Sequence, residues 1–176
     1  YAYSGGLHGV GASVTNALSE WLTVEVKRDG HLYRAEFHSP QVNGKIKSGV
    51  VKTPLTLVGK TKEKGGTGTF KPDERVFGDA KFEYETVTKR MREVAYLNRG
   101  ITIVVEDKRL PIAGGTGQKD VFCYKGGIAD YVQYLNEGRT VLYDKPLYIE
   151  AKEEHFEVAV AIQPTDGYAE NIYSYV

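Results

Sequence analysis

A glycine-rich segment near the start of the chain is the strongest candidate for chemistry. It consists of Ser4, Gly5, Gly6, Leu7, His8, Gly9, Val10 and Gly11, and an apolar pattern with helical spacing follows it. Glycine lets backbone N–H groups approach a ligand without an intervening Cβ, and the first N–H groups of a helix are unpaired. The segment therefore favours binding of an anion such as a phosphate chain, although a turn without a ligand is about as compatible with the spacing alone.

Two familiar phosphate-binding motifs are excluded by the same residues. A P-loop requires Gly-Lys followed by Ser or Thr, whereas Gly11 is followed by Ala12 and Ser13. A dinucleotide fingerprint requires Gly-x-Gly-x-x-Gly, whereas Gly6, Gly9 and Gly11 have the reverse spacing. Any phosphate site at this segment therefore belongs to another class.

Metal and disulfide chemistry have little support in the sequence. The four histidines lie at positions 8, 31, 38 and 155 and show no metal-ligand spacing. The single cysteine, Cys123, has no CxxC partner and cannot form an internal disulfide. We expect no metal ligand in this stretch and a reducing compartment, the cytoplasm.

Composition limits the remaining function classes. The 176 residues are 41% hydrophobic and 26% charged, which is typical of a globular chain and leaves no segment for a membrane span. Lys plus Arg and Asp plus Glu both number 23, so a large basic DNA-binding surface is not expected here. The chain starts at Tyr1 and its only methionine is Met91, which indicates part of a longer protein.

Hydrophobic periodicity predicts an α+β protein made of two units with an open sheet in each. An Asp29-Gly30 hairpin turn joins the first two predicted strands, and the boundary between units is placed near Gly126, giving domains 1–125 and 126–176. The predicted helices are 12–21, a segment around 87–95 that stops at 98–100, and 128–135. The predicted strands are 22–26, 32–37, 53–58, one ending at 70, 101–105, 147–151, 156–162 and 172–176, the last three as a meander.

The glycine-rich segment, with Ala12-Ser13-Val14 and Asn16-Ala17-Leu18-Ser19, resembles the third nucleotide motif of the GHKL ATPases in the version of the gyrase B family. Further segments resemble that family in the same order. They are Lys27-Arg28-Asp29-Gly30, Phe70-Lys71-Pro72-Asp73, Arg90-x-Arg92-Glu93, Tyr124-x-Gly126-Gly127-Ile128 and Asp166-Gly167-Tyr168. The resemblance covers essentially the whole chain, so it is far more specific than the glycines alone.

The resemblance implies a two-layer α+β sandwich of the GHKL (Bergerat) type, with a mixed sheet and helices on one face, followed by the start of an α+β transducer domain. It implies that backbone N–H groups of the glycine-rich segment bind the triphosphate of ATP and that Tyr1 touches the adenine. Arg28 would lie at the mouth of the pocket. The family's adenine-site threonine falls on Gly66 when counted back from Phe70, and Thr67 is the alternative.

The resemblance also implies an ATP- and magnesium-dependent DNA topoisomerase that works with a gyrase A subunit, DNA and a second gyrase B chain. The family's catalytic glutamate and magnesium-binding asparagine precede the glycine motif. We therefore expect no catalytic residue in this stretch and no ATP hydrolysis by these 176 residues alone. Two alternatives remain open: a topoisomerase IV B-type subunit, and a non-catalytic nucleotide-binding or assembly module.

Overall fold

The computed structural model describes residues 10–109 and 117–175. The chain divides into two compact units, Tyr1–Lys81 with Ser174–Val176, and Phe82–Tyr173. The domain boundary expected near Gly126 lies within the second of these ranges and stays a prediction. None of the helices in the described residues is long and apolar enough to cross a membrane.

The first unit is built on a four-stranded antiparallel sheet. Its elements are α1 (Gly11–Ala17), β1 (Ser19–Arg28), β2 (His31–His38), β3 (Gln41–Val42), β4 (Lys45–Ile46), β5 (Val50–Lys60), β6 (Gly65–Pro72) and α2 (Glu74–Phe77). The strand order in the sheet is β5-β2-β1-β6, and β3 pairs with β4 in a separate hairpin. Asp29 and Gly30 have φ values of 53° and 76°, so the predicted turn between β1 and β2 has the two left-handed residues of a type I′ hairpin.

The two faces of this sheet differ in polarity. Leu22, Val24 and Val26 of β1 lie opposite Phe37, Ala35 and Tyr33 of β2 and form one apolar face. The alternate positions of β1 are Trp21, Thr23, Glu25 and Lys27, which form a largely polar face. Because successive side chains of a strand point to opposite faces, this alternation fixes the register of the sheet.

The second unit combines two helices with two strand pairs. Its elements are α3 (Tyr84–Leu97), β7 (Ile103–Glu106), β8 (Lys119–Phe122), α4 (Ile128–Leu135), β9 (Leu147–Lys152) and β10 (Glu157–Ile162). β7 pairs with β8 and β9 pairs with β10, both antiparallel. Ala95 of α3, Val105 of β7 and Phe122 of β8 form the buried core, with Val87 and Met91 of α3 packed against it.

Most predicted elements are confirmed, and α4 has the predicted bounds. The first helix, however, was predicted to reach Trp21 and ends at Ala17. Trp21 follows the helical spacing by coincidence, since it pairs with His38 and Lys71 on both sides of β1. Strand hydrogen bonds to two neighbours outweigh the weak preference of a short helix.

Three further differences come from long-range pairing. The predicted strand at 172–176 is wrong over the described residues, because 172–175 form no strand. The strand β8 and the short helix α2 were not predicted. β8 is only four residues long and depends on β7 for its hydrogen bonds, and α2 depends on Asp73, whose side chain accepts a hydrogen bond from the Arg75 N–H.

Candidate functional site

The predicted site residues fall into two groups. Tyr1, Gly6, Leu7, His8 and Gly9 lie outside the described residues. Val10 and Gly11 are described at the start of α1, and the carbonyl of Val10 accepts the first helical hydrogen bond from Val14 at 2.8 Å. No side chain caps this end of α1, and a Cβ placed on Gly11 would meet nothing within 4 Å. Over the described residues, the entry to α1 is therefore open backbone.

Arg28 ends β1 beside the tight hairpin turn. Its side chain is 78% exposed, and its Nε donates a hydrogen bond to Asp29 Oδ2 at 3.1 Å. An ion pair this exposed holds its partners weakly, because water screens both charges. The guanidinium can therefore leave Asp29 for an anionic ligand at little cost.

Gly66 and Thr67, the two candidates for the adenine-site position, lie on opposite faces of β6. Gly66 lies opposite Val26 on the apolar face, whereas Thr67 lies opposite Glu25 on the polar face. Arg28 is two residues beyond Val26 and shares the face of Gly66. A ligand on the face of Arg28 would thus meet Gly66 and not the side chain of Thr67.

Sequence reasoning missed a groove of about 660 Å³ in the first unit. Its lining includes Trp21, Glu36, His38, Lys52, Lys71 and Arg75. The charges there are largely compensated: Lys71 Nζ lies 2.7 Å from Glu20 Oε2, and Lys52 Nζ lies 3.9 Å from Glu36 Oε2. No local sequence pattern could have found the groove, because its residues come from separate strands and meet only in the folded sheet.

Asp73 and Arg75 form a buried ion pair between β6 and α2. Asp73 is 2% exposed, and its Oδ2 lies 2.5 Å from Arg75 Nη2. Hydrogen bonds from Arg75 lower the pKa of the Asp73 carboxyl below its ordinary value, against burial, which raises that pKa. Asp73 is therefore held as a carboxylate with a structural partner.

The described residues contain no group of three or more His, Cys, Asp and Glu side chains that could hold a metal ion. The described part of the candidate site consists of backbone at the start of α1, one exposed guanidinium and a glycine on the same sheet face as that guanidinium. Such an arrangement can bind an anion, but it contains no positioned general base.

Comparisons with known proteins decide the family. A family model described as DNA gyrase B matches residues 127–176. The B protein of DNA gyrase from Clostridium acetobutylicum is 41% identical over 176 residues, which are 99% of this chain and 25% of that relative. The B protein of DNA topoisomerase 4 from Bacillus subtilis is 44% identical over 176 residues, which are 100% of this chain and 25% of the relative. The chain belongs to the gyrase B family.

A solved structure extends the match to the fold. The 43K ATPase domain of Thermus thermophilus gyrase B, in complex with an aminocoumarin, matches with a TM-score of 0.75 and 40% identity. The match covers 92% of this chain and 41% of that chain. It confirms the predicted α+β fold of the GHKL type. The chain spans about a quarter of the length of the curated gyrase B relative and of the topoisomerase 4 relative.

Proposed function

We propose that the chain is part of the ATP-binding region of a type IIA DNA topoisomerase, within the gyrase B protein of a DNA gyrase. The observation that carries this proposal is the match to the gyrase B ATPase domain over 92% of the chain, at 40% identity. Sequence and fold agree over nearly the whole chain. We therefore expect the glycine-rich segment to have the nucleotide-binding role that the family resemblance implies.

In this proposal the glycine-rich segment, Gly6 to Gly11, holds the triphosphate through backbone N–H groups, with Tyr1 against the adenine. Arg28 contributes a mobile cation at the mouth of the pocket. Gly66 takes the adenine-site position in place of Thr67, because it shares the sheet face of Arg28. This position then lacks a hydroxyl group, so the backbone around Gly66 must make whatever polar contact the site has there.

ATP use by the gyrase B family usually implies a magnesium ion. The described residues do not fit a magnesium site, since they bring no group of three or more acidic, His or Cys side chains together. Oxygen ligands are what this ion prefers. We therefore assign no magnesium ligand and no hydrolytic step to the described residues.

The working partners proposed for the protein are a gyrase A subunit, DNA and a second gyrase B chain that associates when ATP binds. The net charge of zero means that this stretch alone offers no large basic surface for DNA. We propose that DNA is contacted mainly by other parts of the assembly, in the cytoplasm.

Nucleotide titration of the complete gene product that carries this chain tests the proposal. We expect the non-hydrolysable ATP analogue AMPPNP to bind in calorimetry with magnesium present, and Gly9→Val to abolish that binding. Gly59→Val is the matched control, because a Cβ on Gly59 in β5 would meet nothing within 4 Å. Lack of binding by the unmodified protein would instead favour a non-catalytic assembly module, and binding by Gly9→Val would remove the glycine-rich segment from the site.

A topoisomerase IV B-type subunit is the second candidate. The observation that favours it is the 44% identity to the Bacillus subtilis topoisomerase 4 relative, against 41% to the Clostridium acetobutylicum gyrase relative. Reconstitution with the matching A subunit separates the two. ATP-dependent negative supercoiling of a relaxed plasmid supports a gyrase, whereas relaxation or decatenation without supercoiling supports topoisomerase IV.

A further inference from the structure

Helix α1 is held in place by an unusual set of contacts. None of its residues is buried, and the side chain of Val14 is 48% exposed. Apolar burial normally supplies most of the stability of a short helix in a protein. In the described residues, the position of α1 must therefore depend strongly on the polar contacts at its C-terminal end.

These contacts connect α1 to the start of β1 and to the residue before β5. Ser19 Oγ donates to the Thr15 carbonyl at 2.6 Å, and Asn16 Nδ2 donates to the Gly49 carbonyl at 3.3 Å. Gly49 has a φ of +61°, and a Cβ placed there would lie 2.8 Å from Asn16 Nδ2. Glycine is therefore required at position 49 both for the backbone conformation and for the close approach of Asn16.

Ser39 joins the strands that receive these contacts. It is 4% exposed. Its Oγ donates to the Ser19 carbonyl at 2.7 Å and accepts from the Gly49 N–H at 3.0 Å. Its carbonyl accepts from Arg75 Nη2 at 2.6 Å. One hydroxyl thus fixes both backbone segments to which α1 is attached.

We propose that Ser39 and Asn16 are positioning residues: with Gly49 they set the placement of α1, and through it the placement of the glycine-rich segment that binds the nucleotide. This inference rests on the proposed function. Neither side chain is assigned a contact with the nucleotide. Their effect passes along the backbone of α1, which continues directly from that segment. A displacement of about 1 Å at a binding site can cost up to about a hundredfold in function.

The test compares AMPPNP affinity and thermal stability in three variants of the complete gene product. Ser39→Ala removes the hydroxyl that bonds Ser19 and Gly49, and Asn16→Ala removes the amide that bonds Gly49. Thr53→Val is the matched control, since it removes a hydroxyl from the same sheet, where Thr53 Oγ1 donates to Glu36 Oε2 at 3.1 Å. We expect the Kd for AMPPNP to rise about tenfold in each of the first two variants and to stay unchanged in the control.

The melting temperature without nucleotide separates positioning from general loss of structure. Asn16 is only half-buried, so Asn16→Ala should fold and melt close to the unmodified protein while still binding weakly. Wild-type affinity in Asn16→Ala and Ser39→Ala would overturn the positioning role and leave the proposed function intact. An equal loss of affinity in Thr53→Val would also overturn it, because that loss would reflect stability alone. Failure of the unmodified protein to bind AMPPNP would overturn both proposals.

Discussion

Helices α1 and α4 are held by opposite kinds of contact, although each is short. In the first unit, α1 has no buried residue and is tied to strand ends by hydrogen bonds from Ser19 and Asn16. In the second unit, α4 places the rings of Tyr131 and Tyr134 against Tyr96 of α3. Directional bonds fix a position but fail one at a time, whereas a ring stack depends on buried area and tolerates small polar changes.

The stack between α3 and α4 is centred on Tyr96, which is 5% exposed. Its ring centroid lies 3.6 Å from that of Tyr124, 4.9 Å from that of Tyr131 and 5.6 Å from that of Tyr134. Burial raises the pKa of the Tyr96 phenol well above its ordinary value. The group therefore stays neutral at any pH at which the protein is folded, and the stack does not respond to pH.

Removal of the central ring is expected to have the largest effect. Tyr96→Ala should lower the free energy of unfolding by about 3–5 kcal/mol, because it deletes a buried ring that three others contact. Urea unfolding followed by circular dichroism measures this change. Tyr96→Phe is the control and should cost about 1 kcal/mol, since it keeps the ring and loses only a hydroxyl. Equal losses in both variants would mean that the hydroxyl, not the ring area, holds α4.

Loss of the buried carboxylate in the first unit should come next. Asp73→Asn is expected to cost about 2 kcal/mol, because Arg75 then loses a charged partner that is 2% exposed. Asp73→Glu is a useful comparison, since it keeps the charge but moves it away from the Arg75 N–H. A loss well below 1 kcal/mol for Asp73→Asn would show that Arg75 readily finds water instead.

The same carboxylate gives a pH dependence with a definite sign. The pKa of Asp73 is lower in the folded protein than its ordinary value, so its ionised form favours the folded state. This contribution is complete above the ordinary Asp pKa of about 3.9 and is lost as the pH falls through the lower folded value. The stability difference between the unmodified protein and Asp73→Asn should therefore shrink below about pH 4.

The contrast between the two helices also explains how far the sequence could predict the fold. The bounds of α4 were predictable because Ile128, Tyr131, Val132 and Leu135 follow one helical stripe between glycines. The β1–β2 hairpin was predictable because Asp29-Gly30 is a strong local turn signal. The end of α1 was not, because the pairing of Trp21 with β2 and β6 is a long-range contact.

The candidate site was predictable to a similar extent. The glycines and Arg28 stand in recognisable sequence motifs, and the choice between Gly66 and Thr67 is one of strand register. That choice required the pairing of Gly66 with Val26, which no local pattern contains. The junction at Ser39, Gly49 and Asp73 was missed altogether, because its residues are far apart in sequence and each is unremarkable alone.

A smaller effect is expected where the ring stack meets a charge. Arg92 Nη1 donates to Tyr134 Oη at 3.0 Å, and its guanidinium lies 5.4 Å from the Tyr134 ring centroid. Tyr134→Phe removes the first contact and keeps the second, so it should cost about 1 kcal/mol in urea unfolding. Tyr134→Leu, which removes both contacts, should cost more. The same loss in the two variants would mean that the ring face contributes nothing to holding Arg92.

The smallest effect is expected at the exposed ion pair between Lys27 of β1 and Glu63, in the turn before β6. Lys27 Nζ lies 2.5 Å from Glu63 Oε2, and the Glu63 side chain is 71% exposed. The hydrogen bond between them raises the pKa of Lys27 and lowers that of Glu63. Water and salt nevertheless screen such a pair, and the backbone already sets the register by placing Lys27 opposite Gly65. Lys27→Met should leave the urea midpoint unchanged within error at low and high salt. A clear loss that appears only at low salt would show that this surface charge, and not the strand pairing, holds the turn against β1.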